Sequence, residues 1–124
     1  MSEEKKEKIV YIDTCAGENP EKASLPFVLG NAALTMEVEA VVVLQGTGVY
    51  LAKKGYADNV FAAGLPPLKE LMDNFRAAGG KILVCVPCIR ERKIDESDLV
   101  EGAEPTAAAK LTLELLSANA TLVY

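Results

Sequence analysis

Three cysteines, Cys15, Cys85 and Cys88, carry most of the chemistry open to this chain, and no histidine stands beside them as a base or metal ligand. Two are spaced as Cys85-Val86-Pro87-Cys88. That spacing serves either reactive thiolate chemistry, in which one sulfur loses its proton, or a zinc site, in which four ligands converge. Two sources of positive potential lie near the pair. A short turn of helix after Cys88, ending near Arg92, would set Cys88 at a helix amino end, and Arg90 and Arg92 add charge. Zinc is short of ligands: three thiols without imidazole would need a carboxylate or a second subunit, so no bound metal is expected. The plain alternative is that each cysteine is a small buried hydrophobe.

Two other groups could join such a site. Gly46-Thr47-Gly48 could turn backbone N–H groups toward an anion or small ligand. It lacks the full G-x-G-x-x-G pattern and the P-loop lysine, and a tight strand-to-helix turn explains the glycines as well. Asp13 ends an apolar run and offers a polar group at the same place. Asp95, Glu96 and Asp98 read as a solvated loop.

Strands must position these residues. Four runs rich in Val and Ile, over 9–12, 40–44, 82–86 and 121–124, do not alternate with polar residues. Continuous apolar strands are those covered on both faces, as in parallel sheets. Helical segments lie between them. Asn19-Pro20-Glu21 supplies a cap, a first-turn proline and an acid for the positive helix end. Ala23, Phe27, Gly30 and Leu34 then recur on one face, with Pro26 expected to kink the helix. A second helix starts at Pro66-Pro67, shows Leu68, Leu71, Met72 and Phe75 at amphipathic spacing, and stops at Gly79-Gly80. A third is expected from near Pro105 to about Ala118, with Ala109, Leu113 and Leu116 on its apolar face and Asn119 as a left-handed stop. A short helix is expected over 49–54 and a loop over 56–64. Strand and helix in alternation imply right-handed crossovers and an open, mainly parallel α/β sheet with helices on both faces. Ligands of such sheets collect outside the carboxyl ends of the strands. Cys15 follows the first strand, Gly46 the second, and Cys85 closes the third, so all three cysteines fall at that edge.

The chain has 124 residues, the size of one domain. Thirteen Lys and Arg against eighteen Asp and Glu leave a net charge of -5, which disfavours direct nucleic-acid binding. Residues 1–8, where Lys5, Lys6 and Lys8 alternate with Glu3, Glu4 and Glu7, read as a charged tail before a single domain over 9–124. The first residues are charged, so no export signal is expected, and no apolar stretch is long enough for a membrane span. A reducing cytoplasm and free thiols follow. Leu51, Val60, Phe61 and Leu65 lie in a region of weak pattern, which suggests an apolar surface and a homo-oligomer.

Nearly the whole chain resembles the DsrE-like proteins of sulfur relay, which include the TusD subunit type. Gly17-Glu18-Asn19-Pro20-Glu21-Lys22-Ala23 is similar to that family's first strand-to-helix turn, and Gly48-Val49-Tyr50-Leu51 to its segment after the second strand. The strongest match is Ile82-Leu83-Val84-Cys85-Val86-Pro87-Cys88-Ile89-Arg90, with Asp98-Leu99-Val100-Glu101-Gly102-Ala103 following. The resemblance implies a flavodoxin-like α/β fold, homo- or hetero-oligomers (trimer and hexamer both open), and sulfur handling on cysteine. It makes Cys85 the persulfide carrier and Cys88 the second thiol of the C-x-x-C members, and assigns Cys15 no role. The second cysteine departs from the TusD type. Thioredoxins open a helix with this spacing after an early strand, whereas here it closes a late one.

The implied mechanism passes a sulfane sulfur from a donor protein to the Cys85 thiolate and on to an acceptor protein, with no metal or organic cofactor. Cys88 could release the sulfur through a disulfide with Cys85 or hold it in turn. Two other readings stand beside this sulfur carrier or sulfurtransferase: a small-ligand module using Gly46, Thr47 and Gly48, and an oligomer whose cysteines are structural. A persulfide on Cys85, a retained ligand, or unreactive native thiols would separate the three.

Overall fold

The computed structural model describes residues 6–124, which form one five-stranded sheet with helices on both faces. The strands are β1 (Lys8–Asp13), β2 (Glu39–Leu44), β3 (Lys81–Cys85), β4 (Ala103–Thr106) and β5 (Ala120–Val123). Their order is β4-β3-β2-β1-β5 and every pairing is parallel. The helices are α1 (Pro20–Thr35), α2 (Leu68–Ala77), α3 (Val86–Glu91) and α4 (Ala108–Leu116). Of the expected charged tail, residues 1–5 lie outside the described residues, and Lys8 belongs to β1, where its ammonium reaches Glu114 at 3.0 Å.

Side chains on a strand alternate between faces, and the core divides accordingly. Tyr11, Val42, Leu44, Ile82 and Val84 pack toward α1 and α2, where Phe27 and Phe75 meet edge to face. Val10, Ile12, Val41, Val43 and Leu83 pack on the other face against Leu111 of α4. The register aligns Asp13 with Leu44 and Leu44 with Val84, so the first three strands finish level. That common edge carries the cysteines.

Local signals account for the first two helices. The Asn19 carboxamide caps α1 by accepting the Lys22 N–H at 3.1 Å, and Pro26 lies inside α1 without ending it. Gly79, at φ +97°, takes the left-handed conformation that stops α2. Residues 46–52 form a 3₁₀ helix where a short helix over 49–54 was expected, and 57–59 add one 3₁₀ turn within the expected loop.

The structure corrects four expectations. Pro105 does not start a helix. It sits in β4, an edge strand, where its missing N–H does not break the sheet, and α4 begins at Ala108. The packed face of α4 is Leu111 with Leu115 and Ala118, while Leu113 and Leu116 are 68% and 78% exposed and Ala109 is exposed too. Asn119 is not a left-handed stop. Its side chain accepts the Lys8 N–H and its own N–H donates to the Lys8 carbonyl, which starts β5 beside β1. Finally, Leu51 and Val60 are core residues and Leu65 is half-buried, so Phe61 alone of the four apolar residues lies open to solvent.

Candidate functional site

β3 ends at Cys85, which caps α3, and Cys88 is the third residue of that helix. One helical turn separates the two residues, so their side chains meet. The sulfurs hydrogen-bond at 2.6 Å, both cysteines are half-buried, and neither is in a disulfide. The pair therefore has a solvent path and a shared proton.

The loop after β2 completes this arrangement. The Gly46 N–H donates to Cys88 Sγ at 3.2 Å. Gly46 has φ +55°, a conformation glycine adopts without penalty. Two residues on, Gly48 lies against β1: a Cβ built there would come within 2.2 Å of the Asp13 carbonyl oxygen, so only glycine fits. The Gly48 N–H bonds to the Gln45 carbonyl at 2.9 Å. The Gly46-Thr47-Gly48 segment is thus a close-packed turn that aims one N–H at a sulfur, with no row of free N–H groups for an anion.

Arg90 is exposed and touches neither sulfur, and the Arg92 guanidinium donates to the Cys88 carbonyl at 3.2 Å. Burial pushes the Cys85 thiol up, and its side-chain hydrogen bond with Cys88 pushes it the same way, outweighing a backbone hydrogen bond from Cys88 and the charge of Arg92. The charge of Arg92 does reach the Cys85 thiol and lowers it, but by less than burial and the neighbouring sulfur raise it.

Asp13 and Cys15 lie on the β1 side of the same edge. Asp13 is fully buried. Its Oδ1 accepts the Cys15 N–H at 3.2 Å, and its Oδ2 has no partner. Burial, partly opposed by that hydrogen bond, raises its pKa to about 8, so the carboxyl is largely protonated at neutral pH. Cys15 Sγ lies 3.9 Å from the Thr14 hydroxyl. The Gly46–Gly48 turn, held by the Gln45 N–H to the Asp13 carbonyl, separates this loop from the Cys85–Cys88 pair.

Two side chains and one backbone carbonyl anchor the β1 loop. Glu18 accepts the Ala16 N–H, the Tyr56 hydroxyl accepts the Gly17 N–H, and the Tyr124 carbonyl accepts the Thr14 N–H. The Tyr56 and Tyr124 contacts join segments far apart in sequence, which spacing alone does not connect. A cavity of about 290 Å³ lies elsewhere, lined by Leu51, Lys53, Met72, Asp73, Arg76 and Val100 among others, and no cysteine borders it. Among the described residues, no three metal-ligating side chains cluster, and no helix is long and apolar enough to cross a membrane.

Comparison with known proteins agrees with this architecture. The structure is similar to that of the YchN protein from Escherichia coli, with a TM-score of 0.80 at 20% identity over 95% of this chain and 99% of that one. It is also similar to the protein of unknown function MTH1491 from Methanobacterium thermoautotrophicum, with a TM-score of 0.67 at 14% identity over 97% of this chain and 100% of that one. In sequence the chain is 34% identical over 90% of its length to the uncharacterized protein MJ0760 of Methanocaldococcus jannaschii, of which it spans 40%. It is 33% identical over 78% of its length to the uncharacterized protein MJ0989 of the same organism, of which it spans 82%. The DsrE/DsrF-like family model matches residues 7–124, and the chain belongs to that family.

Proposed function

We propose that the chain is a cytoplasmic sulfur carrier that takes a sulfane sulfur onto Cys85 as a persulfide and passes it on. The observation that carries this reading is the contact between two half-buried sulfurs, 2.6 Å apart, at the carboxyl edge of a DsrE-type sheet. A persulfide forms when a thiolate attacks the outer sulfur of a donor, which requires access and a means of sharing the proton. The pair has both. Donor and acceptor are proteins bearing cysteine persulfide and thiol, and no cofactor takes part.

The carrier works as a homo-oligomer. Exposed Leu113, Leu116 and Val123, on α4 and the edge strand β5, support this in place of the loop residues. The small-ligand reading loses its support, because the Gly46 and Gly48 N–H groups are already bonded. In the test, the native chain is incubated with a small-molecule persulfide. It should remove the donor's sulfane sulfur, and prior alkylation of its thiols should stop this. Equal removal by the alkylated chain would refute the proposal.

A further inference from the structure

We propose that Cys88 is the nucleophile of the release step: held by the Gly46 N–H, it attacks the persulfidated Cys85, so that the sulfur leaves as hydrosulfide and the chain is left with a Cys85–Cys88 disulfide. This rests on the carrier reading and specifies the form in which the sulfur departs when no acceptor thiol takes it first.

The two sulfurs are not equivalent. Cys88 Sγ accepts a backbone N–H from a different loop, at 3.2 Å, whereas Cys85 Sγ accepts the Cys88 S–H at 2.6 Å. A hydrogen bond donated to sulfur favours its charged form. Burial and its neighbour push the Cys85 thiol up, against a backbone hydrogen bond from Cys88 and the charge of Arg92. The Gly46 N–H is also fixed in place. Gly48 seats the turn on the Asp13 carbonyl, and the Gln45 N–H bonds that same carbonyl. The donor is therefore positioned before any substrate arrives.

The step balances as follows. Loading leaves Cys85 Sγ bonded to its own Cβ and to one outer sulfur, with the donor departing as a thiolate. The Cys88 thiolate then attacks Cys85 Sγ, which it already touches. The Sγ–Sγ bond forms and the bond to the outer sulfur breaks. That sulfur leaves with the electron pair and the persulfide proton as hydrosulfide. The outer sulfur is reduced by two electrons and the two cysteine sulfurs are oxidised by two. A dithiol reductant then restores both thiols by exchange. Contact between nucleophile and target makes the attack intramolecular, which gives it a large advantage over attack by an external thiol.

The experiment uses the full chain, freed of reductant and mixed with glutathione persulfide. Hydrosulfide, intact mass and alkylatable thiols are followed together. The native chain should release hydrosulfide in proportion to protein, lose the Cys85 and Cys88 thiols to one mapped disulfide, and recover them with a dithiol. Cys88→Ser should gain one sulfur atom on Cys85 and hold it, with hydrosulfide release slower by roughly tenfold or more. Cys88→Ala serves as a second variant, with circular dichroism confirming the fold of each. If the Cys88 variants load while the native chain also keeps its persulfide with Cys88 free, the carrier reading stands and this inference falls. Release from Cys88→Ser at the native rate overturns it equally. If neither the native chain nor the variants take up sulfur, the carrier reading fails and this inference with it.

Discussion

Replacing Asp13 by Asn should abolish a pH dependence of stability that the native chain shows between about pH 5 and 8. The native carboxyl is fully buried, with one oxygen unpartnered, and its pKa stands at about 8 against an ordinary 3.8. Between those values the folded chain holds one proton more than the unfolded chain. Stability therefore falls as pH rises, by about 1.4 kcal/mol per unit, and levels off above pH 8. By pH 7 the accumulated loss is about 4 kcal/mol, a large part of the stability of a small domain. Asn keeps the shape and cannot ionise, so its stability should be flat over the same window. Its amide meets the same unpartnered spot at a cost of about 1–3 kcal/mol. The slope is thus a cleaner signature than the offset. The window is also clear of other ordinary side-chain titrations, because the chain has no histidine. Urea unfolding at pH 5, 6, 7 and 8 measures both slopes. Parallel slopes for the two proteins would show that Asp13 is ionised and solvated in the fold, and the reasoning would fail.

Two further substitutions test the packing. Gly48→Ala should destabilise the fold by roughly 3 kcal/mol, since its Cβ would lie 2.2 Å from backbone that cannot yield, and a thermal unfolding shift too small for 1 kcal/mol would contradict this. Leu111→Ala should cost about 2–5 kcal/mol and Leu113→Ala within about 0.5 kcal/mol, and equal effects in denaturant unfolding would return α4 to the face first expected.

Much of the sheet is legible because its central strands announce themselves. Val41, Val42 and Val43 in β2 and Ile82, Leu83 and Val84 in β3 are buried on both faces, and a continuous apolar run is the direct mark of that burial. The edge strand β4 carries no such mark. Ala103-Glu104-Pro105-Thr106 holds its place by pairing with β3, and its proline reads as a helix start when the pairing is unseen. α4 misleads for a different reason. Leu111, Leu113, Leu115 and Leu116 ring the helix, so spacing alone does not choose the face that Val10 and Leu83 will meet.

The site divides in the same way. The position of Cys85 at a strand end and its spacing to Cys88 are local properties. The Gly46 bond to Cys88 joins residues 42 apart, and Gly48 packs against the Asp13 carbonyl of a different strand. Those contacts exist only once the strands stand side by side. Sequence proximity sets the arginines beside the thiols, but side-chain direction decides their contacts: Arg92 turns back to the Cys88 carbonyl.

The most direct test of sulfur carriage compares two single-cysteine changes after incubation with a small-molecule persulfide. Intact mass and peptide mapping read the result, and circular dichroism confirms that both chains fold. Cys88→Ser should carry one added sulfur atom, mapped to Cys85, whereas Cys85→Ser should carry none. Loading of Cys85→Ser as complete as that of Cys88→Ser would contradict the assignment of Cys85 as the carrier.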